Sequence, residues 1–397
     1  MRGIAALLSL SLAATAHAAG FAVDTHGGKA TGLGTAITAH IDDPSAVFYN
    51  PAGLLHLEGL QVMAGATLIN PSLHITSQQT GTTSSNRFAI VPPPHAYVTA
   101  RISDSLAAGL GVFTNYGSAE EWSPDWEFRY RALTSALTTF DVNPEVAYRV
   151  HERVRLGAGL QIVHATVQIG RKLNFVDSDG QVTLSGAATG LGANAGLQVD
   201  VIPNLLSAGL AYRSGVRLPF TGSAHFENVP VEFANMVRDQ PLSTSIRTAD
   251  TVFAGVAFRP LANLTLAADA HYYRWSTMKA ITVDFEDPSL SQNLPKRWHD
   301  TVNFHLGGEY RWSPKLALRL GTVYDPTPSP LDTLTPDLPD SNRLKVTAGV
   351  GYTGERFRAD AGYQLVLLRP EHSTAPGYEA DYAGRAHVLG LSVGYKL

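Results

Sequence analysis

Hydrophobic and polar residues alternate with a period of two through much of the chain, and this pattern predicts β-strands. From Leu191 to Val201 every second residue is Leu, Ala or Val, and the residues between them are Gly, Asn, Gln and Asp. The segments 302–312 and 315–321 repeat the pattern. We therefore predict an all-β fold.

The polar face of these strands favours a membrane barrel over a soluble sandwich. A sandwich exposes that face to bulk water, whereas here it is rich in Gly, Ala, Asn and Gln, which suit the crowded interior of a closed barrel. The other face carries Leu, Val and Ala in mid-strand and aromatic residues toward the strand ends, as in the lipid-facing band of an outer-membrane barrel. Those aromatic residues are Tyr310, Trp312, Tyr324, Tyr352 and Tyr395.

The connections between the predicted strands alternate strictly between short ones of two to four residues and long ones of ten to seventeen. This alternation is typical of bacterial outer-membrane barrels, which have short periplasmic turns and long outer loops. It predicts a 14-stranded antiparallel transmembrane β-barrel over residues 60–397, with a large soluble β-sandwich or a periplasmic solenoid as the alternative. We place the strands at 60–76, 87–102, 106–116, 134–150, 154–171, 183–200, 205–226, 244–259, 263–284, 299–312, 315–326, 341–353, 356–370 and 385–397.

One predicted strand departs from simple alternation. In the strand at 154–171 the apolar residues change phase after Ile162. A β-bulge near His164 would explain this change, because a bulge inserts one extra residue into a strand.

Two segments precede the first strand. Arg2, an apolar run over residues 4–14 and the small-residue site Ala16-His17-Ala18 predict a signal peptide over residues 1–18. Residues 19–59, here called the hatch segment, do not alternate. A barrel of this size is too wide for its own side chains to fill, so we predict that the hatch segment folds into the lumen as a plug rather than hanging in the periplasm. Asn50-Pro51-Ala52 favours a turn within it.

Composition excludes several kinds of protein. The chain has no cysteine and a net charge of −4, so we expect neither disulfides nor a nucleic-acid partner, which usually requires a strongly basic face. It has neither the H-E-x-x-H motif of zinc proteases nor the G-x-S-x-G motif of hydrolases. We therefore assign no cofactor, no metal and no catalytic residue. Two alternatives stay open: a calcium ion bound by acidic loop residues, and a lipase whose Ser, His and Asp lie on different strands.

A set of short motifs, in order along nearly the whole chain, resembles the FadL/TodX family of outer-membrane long-chain fatty acid and hydrocarbon transporters. The resemblance implies a 14-stranded barrel with an N-terminal hatch, which is a monomer in the outer membrane of a Gram-negative bacterium. It also implies two kinds of partner, a hydrophobic small-molecule substrate and the outer-membrane lipids. The motifs are Ala19-Gly20-Phe21, Gly32-Leu33-Gly34, Asp42-Asp43, Asn50-Pro51-Ala52, Thr114-Asn115-Tyr116-Gly117, Arg129-Tyr130, residues 143–149, Tyr212-Arg213-Ser214, Trp275-Ser276 and Asp284-Phe285.

The resemblance also implies a route for the cargo: capture at the outer loops, binding in the lumen, and lateral exit through a gap near a kinked third strand. Pro92, Pro93 and Pro94 lie in the second predicted strand and lack N–H donors. Asn115-Tyr116-Gly117 ends the third predicted strand, where the resemblance places the kink. We predict the lateral gap at these six residues. The alternative is that the prolines lie above the membrane and only begin a strand.

Six residues are candidates for ligand contact. The resemblance implies that Phe21 contacts cargo in the lumen. In the outer loops, Trp122, Trp126 and Phe128 form one aromatic group, and Phe233 and Met236 belong to another. Exposed aromatic clusters can form an apolar docking groove, and the alternatives are membrane-girdle residues or packing that closes the top of the barrel.

The cargo and the type of transport remain open in the sequence. The loop at 171–181 is shorter than in the fatty acid branch of the family, which leaves room for smaller or aromatic cargo. A general diffusion porin with an open lumen is the second function considered.

Overall fold

The computed structural model describes residues 20–87, 90 and 92–397. The predicted signal peptide lies outside these residues. The strands of the described chain form a single antiparallel sheet that closes on itself, since the first strand pairs with the last.

The regular elements are mostly strands. In the described part of the chain, two α-helices span α1 Gly28–Gly32 and α2 Ala46–Tyr49, and 3-10 helices span Pro51–His56, Trp275–Thr277 and Pro288–Leu290. The strands are β1 Leu60–Ser77, β2 Thr83–Ser85, β3 Pro94–Arg101, β4 Leu106–Phe113, β5 Gly117–Glu121, β6 Thr134–His151, β7 Val154–Asn174, β8 Asp179–Ile202, β9 Leu206–Arg213, β10 Arg217–Glu227, β11 Gln240–Arg247, β12 Thr251–Leu261, β13 Leu264–Tyr273, β14 Ala280–Phe285, β15 Gln292–Pro295, β16 Thr301–Arg311, β17 Leu316–Asp325, β18 Arg343–Thr353, β19 Phe357–Ser373 and β20 Ala380–Lys396. None of the helices in the described part of the chain is long and apolar enough to cross a membrane.

These segments make up the fourteen barrel strands that the sequence predicts. Five barrel strands are interrupted, so that β4 with β5 forms the third, β9 with β10 the seventh, and β11 with β12 the eighth. In the same way β13 with β14 and β15 with β16 form the ninth and tenth. The remaining short segment, β2, pairs with the outer end of β1. The predicted 14-stranded barrel is therefore confirmed.

The outer surface of the barrel is apolar. Along β6 to β8 the outward positions carry large exposed side chains, such as Leu160 (62% exposed) and Leu191 (75%). Trp312 and Tyr395 lie exposed near the periplasmic ends of their strands, whereas Tyr324 lies toward the outer end of β17. An apolar band between aromatic girdles is the surface that a lipid bilayer requires.

The predicted bulge near His164 is wrong. The ladders of β7 with β6 and with β8 keep one register on both sides of this residue. The apolar residues around His164 lie on the inward face of β7, opposite to the outward Leu160 and Ile162, and they point into an apolar part of the lumen. They are Val163, Ala165, Val167 and Ile169.

The second and third strands also differ from their predicted bounds. The second strand begins at Pro94, and Pro92 and Pro93 precede it instead of lying within it. The third strand does not end at Gly117: it is interrupted after Phe113 and resumes there as β5. A proline has no N–H to donate to a ladder, which explains why regular pairing starts only at the last of the three.

The described part of the hatch segment lies inside the barrel. Of residues 20–57, all except Asp42 and His56 are buried. Helix α1 rests directly on the inner face of the wall, where a Cβ atom at Gly28 would collide with the carbonyl oxygen of Asp360. The inward glycines of the wall, such as Gly362, make this close approach possible.

Candidate ligand-binding site

An apolar cavity of about 1140 Å³, including its open mouth, occupies the outer part of the lumen. Its wall comes from the inner faces of the third to tenth barrel strands, from outer loops and from Phe21 of the hatch segment. The apolar residues that line it are Phe21, Ala136, Leu137, Val167, Ile169, Leu184, Phe220, Leu242, Ile246, Met278, Ile281, Val283, Leu294 and Leu338.

Phe21 closes the inner end of the cavity. Its ring packs within 5.7 Å of the Tyr116 ring, 4.9 Å of the Trp275 ring and 5.8 Å of the Trp298 ring, measured between centroids. The structure thus places Phe21 at the cavity wall, although ligand contact by this residue stays a prediction.

The opposite end of the cavity carries an excess of positive charge. The Arg131 Nε and Lys296 Nζ atoms lie 2.7 and 3.0 Å from the two carboxylate oxygens of Asp337. Burial alone would raise the pKa of Asp337, but Lys296 and Arg131 hold that pKa below its usual range, so the carboxylate is ionised. Arg171 lines the same end, and among the described residues no carboxylate lies within 4.0 Å of its guanidinium. This end of the cavity therefore carries three cations and one carboxylate, and two of the cations pair with that carboxylate.

The loop aromatics do not form part of this cavity. Trp122 and Trp126 stack with 4.2 Å between centroids and belong, with Phe128, to a buried cluster between the outer loops. All three are less than a tenth exposed, which contradicts the interpretation as an exposed docking groove and agrees with the loop-packing alternative. Phe233 stacks on Phe175 in another loop, and Met236 is 60% exposed.

The third strand is broken at residues 114–116, beside the prolines. Among the residues that the structure describes, the ladder of β3 with β4 ends at the pair Ala96–Val112. Continued in the same register, it would set Pro94 opposite Thr114 and Pro92 opposite Tyr116. The two groups predicted to form the gap thus belong to neighbouring barrel strands, just beyond the point where the ladder between these strands ends.

The hatch segment takes over the backbone bonding at this break. The Val23 N–H donates to the Asn115 carbonyl (2.8 Å), and the Gly117 N–H donates to the Phe21 carbonyl (2.9 Å). The Tyr116 N–H donates to the Thr139 hydroxyl, 3.0 Å away. Residues 114–120 are all buried, so this stretch turns away from the lipid-facing surface toward the lumen.

Asn50-Pro51-Ala52 anchors the hatch segment to the wall. The buried Asn50 amide donates to the carbonyls of Thr38 (3.0 Å) and of Leu197 in β8 (3.1 Å). Its side-chain oxygen accepts from the Ala52 N–H (3.2 Å) and caps the following 3-10 helix. These bonds give the motif a structural role away from the cavity.

The charged end of the cavity was not identified from the sequence. Arg131, Arg171, Lys296 and Asp337 belong to different strands and loops, and only folding brings them together. The sequence signal that could have indicated the cavity is the run of inward apolar residues in β7, because Val167 and Ile169 of this run line the cavity wall. No group of three or more His, Asp or Glu side chains in the described ranges is arranged to hold a metal ion.

The chain is similar to transport proteins of the outer membrane. Residues 9–397 match the model of a family described as outer membrane protein transport protein (OMPP1/FadL/TodX). A long-chain fatty acid transport protein of Escherichia coli is 25% identical over 431 residues, covering 96% of this chain and 95% of that protein. A Pseudomonas aeruginosa FadL homologue superposes with a TM-score of 0.85 at 18% identity, over 95% of this chain and all of the other. The Ralstonia pickettii toluene transporter TbuX superposes with a TM-score of 0.74 at 19% identity, over 94% of this chain and 99% of the other.

Proposed function

The chain belongs to the OMPP1/FadL/TodX family of outer-membrane transport proteins, and we propose that its cargo is a long-chain fatty acid. It is thus a β-barrel of the Gram-negative outer membrane. The observation that carries the proposal is the cavity itself, which is apolar along its length and positively charged at its outer end.

The two ends of the cavity match the two parts of a fatty acid. Each buried CH₂ group contributes about 0.8 kcal/mol, so the apolar wall between Phe21 and the outer loops favours an alkyl chain. A carboxylate beside Arg171 would form a charge-assisted hydrogen bond, which is stronger than one between neutral groups. It would also balance the excess positive charge around Asp337.

The proposed exit is lateral, through the wall at the break in the third strand. Phe21 joins the cavity to this break, because its ring lines the cavity and its carbonyl accepts from the Gly117 N–H. Separation of the hatch segment from residues 115–117 would leave an opening toward the membrane. An apolar cargo would then reach lipid without crossing water.

A neutral aromatic hydrocarbon is the second candidate cargo. The similarity of the fold to that of a toluene transporter and the short loop after β7 favour it. It would use the apolar wall but leave Arg171 without a partner. A general diffusion porin fits less well, because residues 20–57 occupy the lumen that such a pore needs to keep open.

The test compares ligands that differ only in the head group. Binding of oleate, oleyl alcohol and toluene is measured by calorimetry on the purified protein and on Arg171→Gln. Lys172→Gln is the matched control, since it removes the same charge one residue along β7, outside the cavity lining.

We expect Arg171→Gln to weaken oleate binding roughly tenfold or more, the usual cost of losing a hydrogen bond to a charged group. Oleyl alcohol binding and the Lys172→Gln variant should change little. Equal affinities for oleate and oleyl alcohol in the unaltered protein, or tight binding of toluene alone, would contradict the fatty acid assignment.

A further inference from the structure

Two arginines face each other on the outer surface of the barrel. Arg217, the first residue of β10, is the register partner of Arg247, the last residue of β11. Both are exposed and lie on the outward face of the sheet. Like charges directly opposite in a β-ladder destabilise it, so this pair calls for a negative charge from outside the sheet.

A third arginine adjoins the pair. The guanidinium groups of Arg247 and Arg274 lie 3.4 and 3.9 Å from the same carboxylate oxygen of Asp250. The side chains of these two arginines are 50% and 57% exposed. The three arginines, here called the arginine patch, therefore present free N–H donors to the surroundings of the barrel.

The carboxylates near the arginine patch are already engaged. The other oxygen of Asp250 accepts from the Tyr212 hydroxyl and the Gly215 N–H, each at 3.0 Å. Asp300 accepts from the Tyr272 hydroxyl (2.7 Å) and the Ser276 N–H (2.8 Å). Three arginines and two carboxylates leave one net positive charge. The hydrogen bond that Arg217 makes goes to the neutral Ser245 hydroxyl (3.2 Å).

The arginine patch lies at the outer edge of the lipid-facing band. Tyr212 and Tyr272 flank Val252 in one outward row across three strands. Arg274 directly follows the ten residues of β13, and about 9–11 residues of a tilted strand cross the bilayer. The arginines therefore stand just outside the aromatic row, at the level of the lipid head groups of the outer leaflet.

We propose that the arginine patch binds the phosphate of a phosphorylated glycolipid in the outer leaflet of the membrane. The planar guanidinium fork matches phosphate oxygens in charge and geometry. A phosphate over Arg217 and Arg247 turns their mutual repulsion into a shared attraction. The outward direction of the side chains selects a membrane lipid over a soluble anion. This site is independent of the cargo in the lumen.

The test uses the full chain in detergent and, as probes, bisphosphorylated lipid A and the same lipid with both phosphates removed. Binding is measured by native mass spectrometry for the unaltered protein and for the triple variant Arg217→Gln, Arg247→Gln, Arg274→Gln. The charge-matched control is Arg153→Gln, Lys315→Gln, Arg356→Gln, three exposed residues at the periplasmic end. Heat-modified migration in gels reports folding of each barrel.

We expect the triple variant to bind bisphosphorylated lipid A at least tenfold more weakly, as loss of several charge-assisted bonds implies, with the control unchanged. Should the triple variant fail to fold, Arg217→Gln alone should weaken binding about threefold. The proposal is overturned if the triple variant binds as tightly as the unaltered protein, or if removing the phosphates makes no difference. Displacement of the lipid by a modest concentration of inorganic phosphate would also overturn the proposal, in favour of a site for free anions.

Discussion

The seam of the barrel and its third strand close the same wall in different ways. At the seam, β1 and β20 pair from Gln61–Lys396 to Ser77–Ala380 without a register shift. At the third strand the ladder with the second strand ends at Ala96–Val112, and beyond it the bonding partners of the break are hatch residues and the backbone and side chains of β6.

The difference lies in what must move for the wall to open. Opening the seam would break a long ladder whose freed N–H and C=O groups would face hydrocarbon, at a cost of several kcal/mol each. At the break the hatch segment supplies two backbone bonds from inside the lumen. On the proposed lateral route, opening the wall there would break these two bonds instead of a long ladder.

The largest expected effect comes from locking the break. Ala22 and Tyr116 form an antiparallel bridge, so a disulfide in Ala22→Cys, Tyr116→Cys falls within the usual Cα separation. If cargo leaves through the break, uptake of labelled oleate should fall at least tenfold in the oxidised form and recover on reduction. The chain has no other cysteine to interfere.

The matched control locks the seam. Leu68 and Leu389 are register partners in β1 and β20, and Leu68→Cys, Leu389→Cys should leave uptake unchanged in either redox state. Equal uptake by the two oxidised variants, with the disulfides verified by mass spectrometry, would reject the lateral route.

A smaller effect should distinguish two glycines, one where the hatch segment packs on β19 and one at the break. In Gly28→Ala the new Cβ would meet the backbone at Asp360, so we expect a loss of about 1–3 kcal/mol in the free energy of unfolding. In Gly117→Ala, at the break, the nearest atom is 3.5 Å away, and the loss should be within about 0.5 kcal/mol. Urea unfolding from lipid vesicles measures both, and equal losses would show that the hatch segment packs less tightly on the wall than described.

The smallest effect concerns pH. A carboxyl group whose pKa is lowered in the folded protein stabilises the fold at pH values above its ordinary pKa. This stabilisation is lost as the pH falls through the lowered pKa. Asp337 therefore stays ionised, and paired with Arg131 and Lys296, at pH values down to about 4 and below. The difference in uptake between the variant with the locked break and the variant with the locked seam, both oxidised, should thus be the same at about pH 5 and pH 8. The cargo for this measurement is an alkyl sulfate, because its own charge does not titrate. A difference in uptake that appears only near the lower pH would mean that groups at the outer end of the cavity titrate between the two pH values.

Much of the fold could be read from the chain because the signals are local. Alternation with a period of two marks each strand, and the lengths of the connections distinguish periplasmic turns from outer loops. The hatch motif Asn50-Pro51-Ala52 likewise reads as a turn, and in the structure Asn50 caps the helix that follows. The misplaced bulge near His164 shows the limit, since alternation alone does not tell which apolar residues face lipid and which face an apolar lumen.

By itself the sequence determined the barrel, its strand number and the presence of a non-alternating segment ahead of it, because these depend on neighbours along the chain. Only the tertiary structure decided the charged end of the cavity and the bonding of the broken strand. Arg131 and Asp337 are 206 residues apart, and Val23 meets Asn115 from inside the lumen. Contacts of this kind depend on how the barrel closes and how the hatch segment packs, and no local pattern of side chains encodes them.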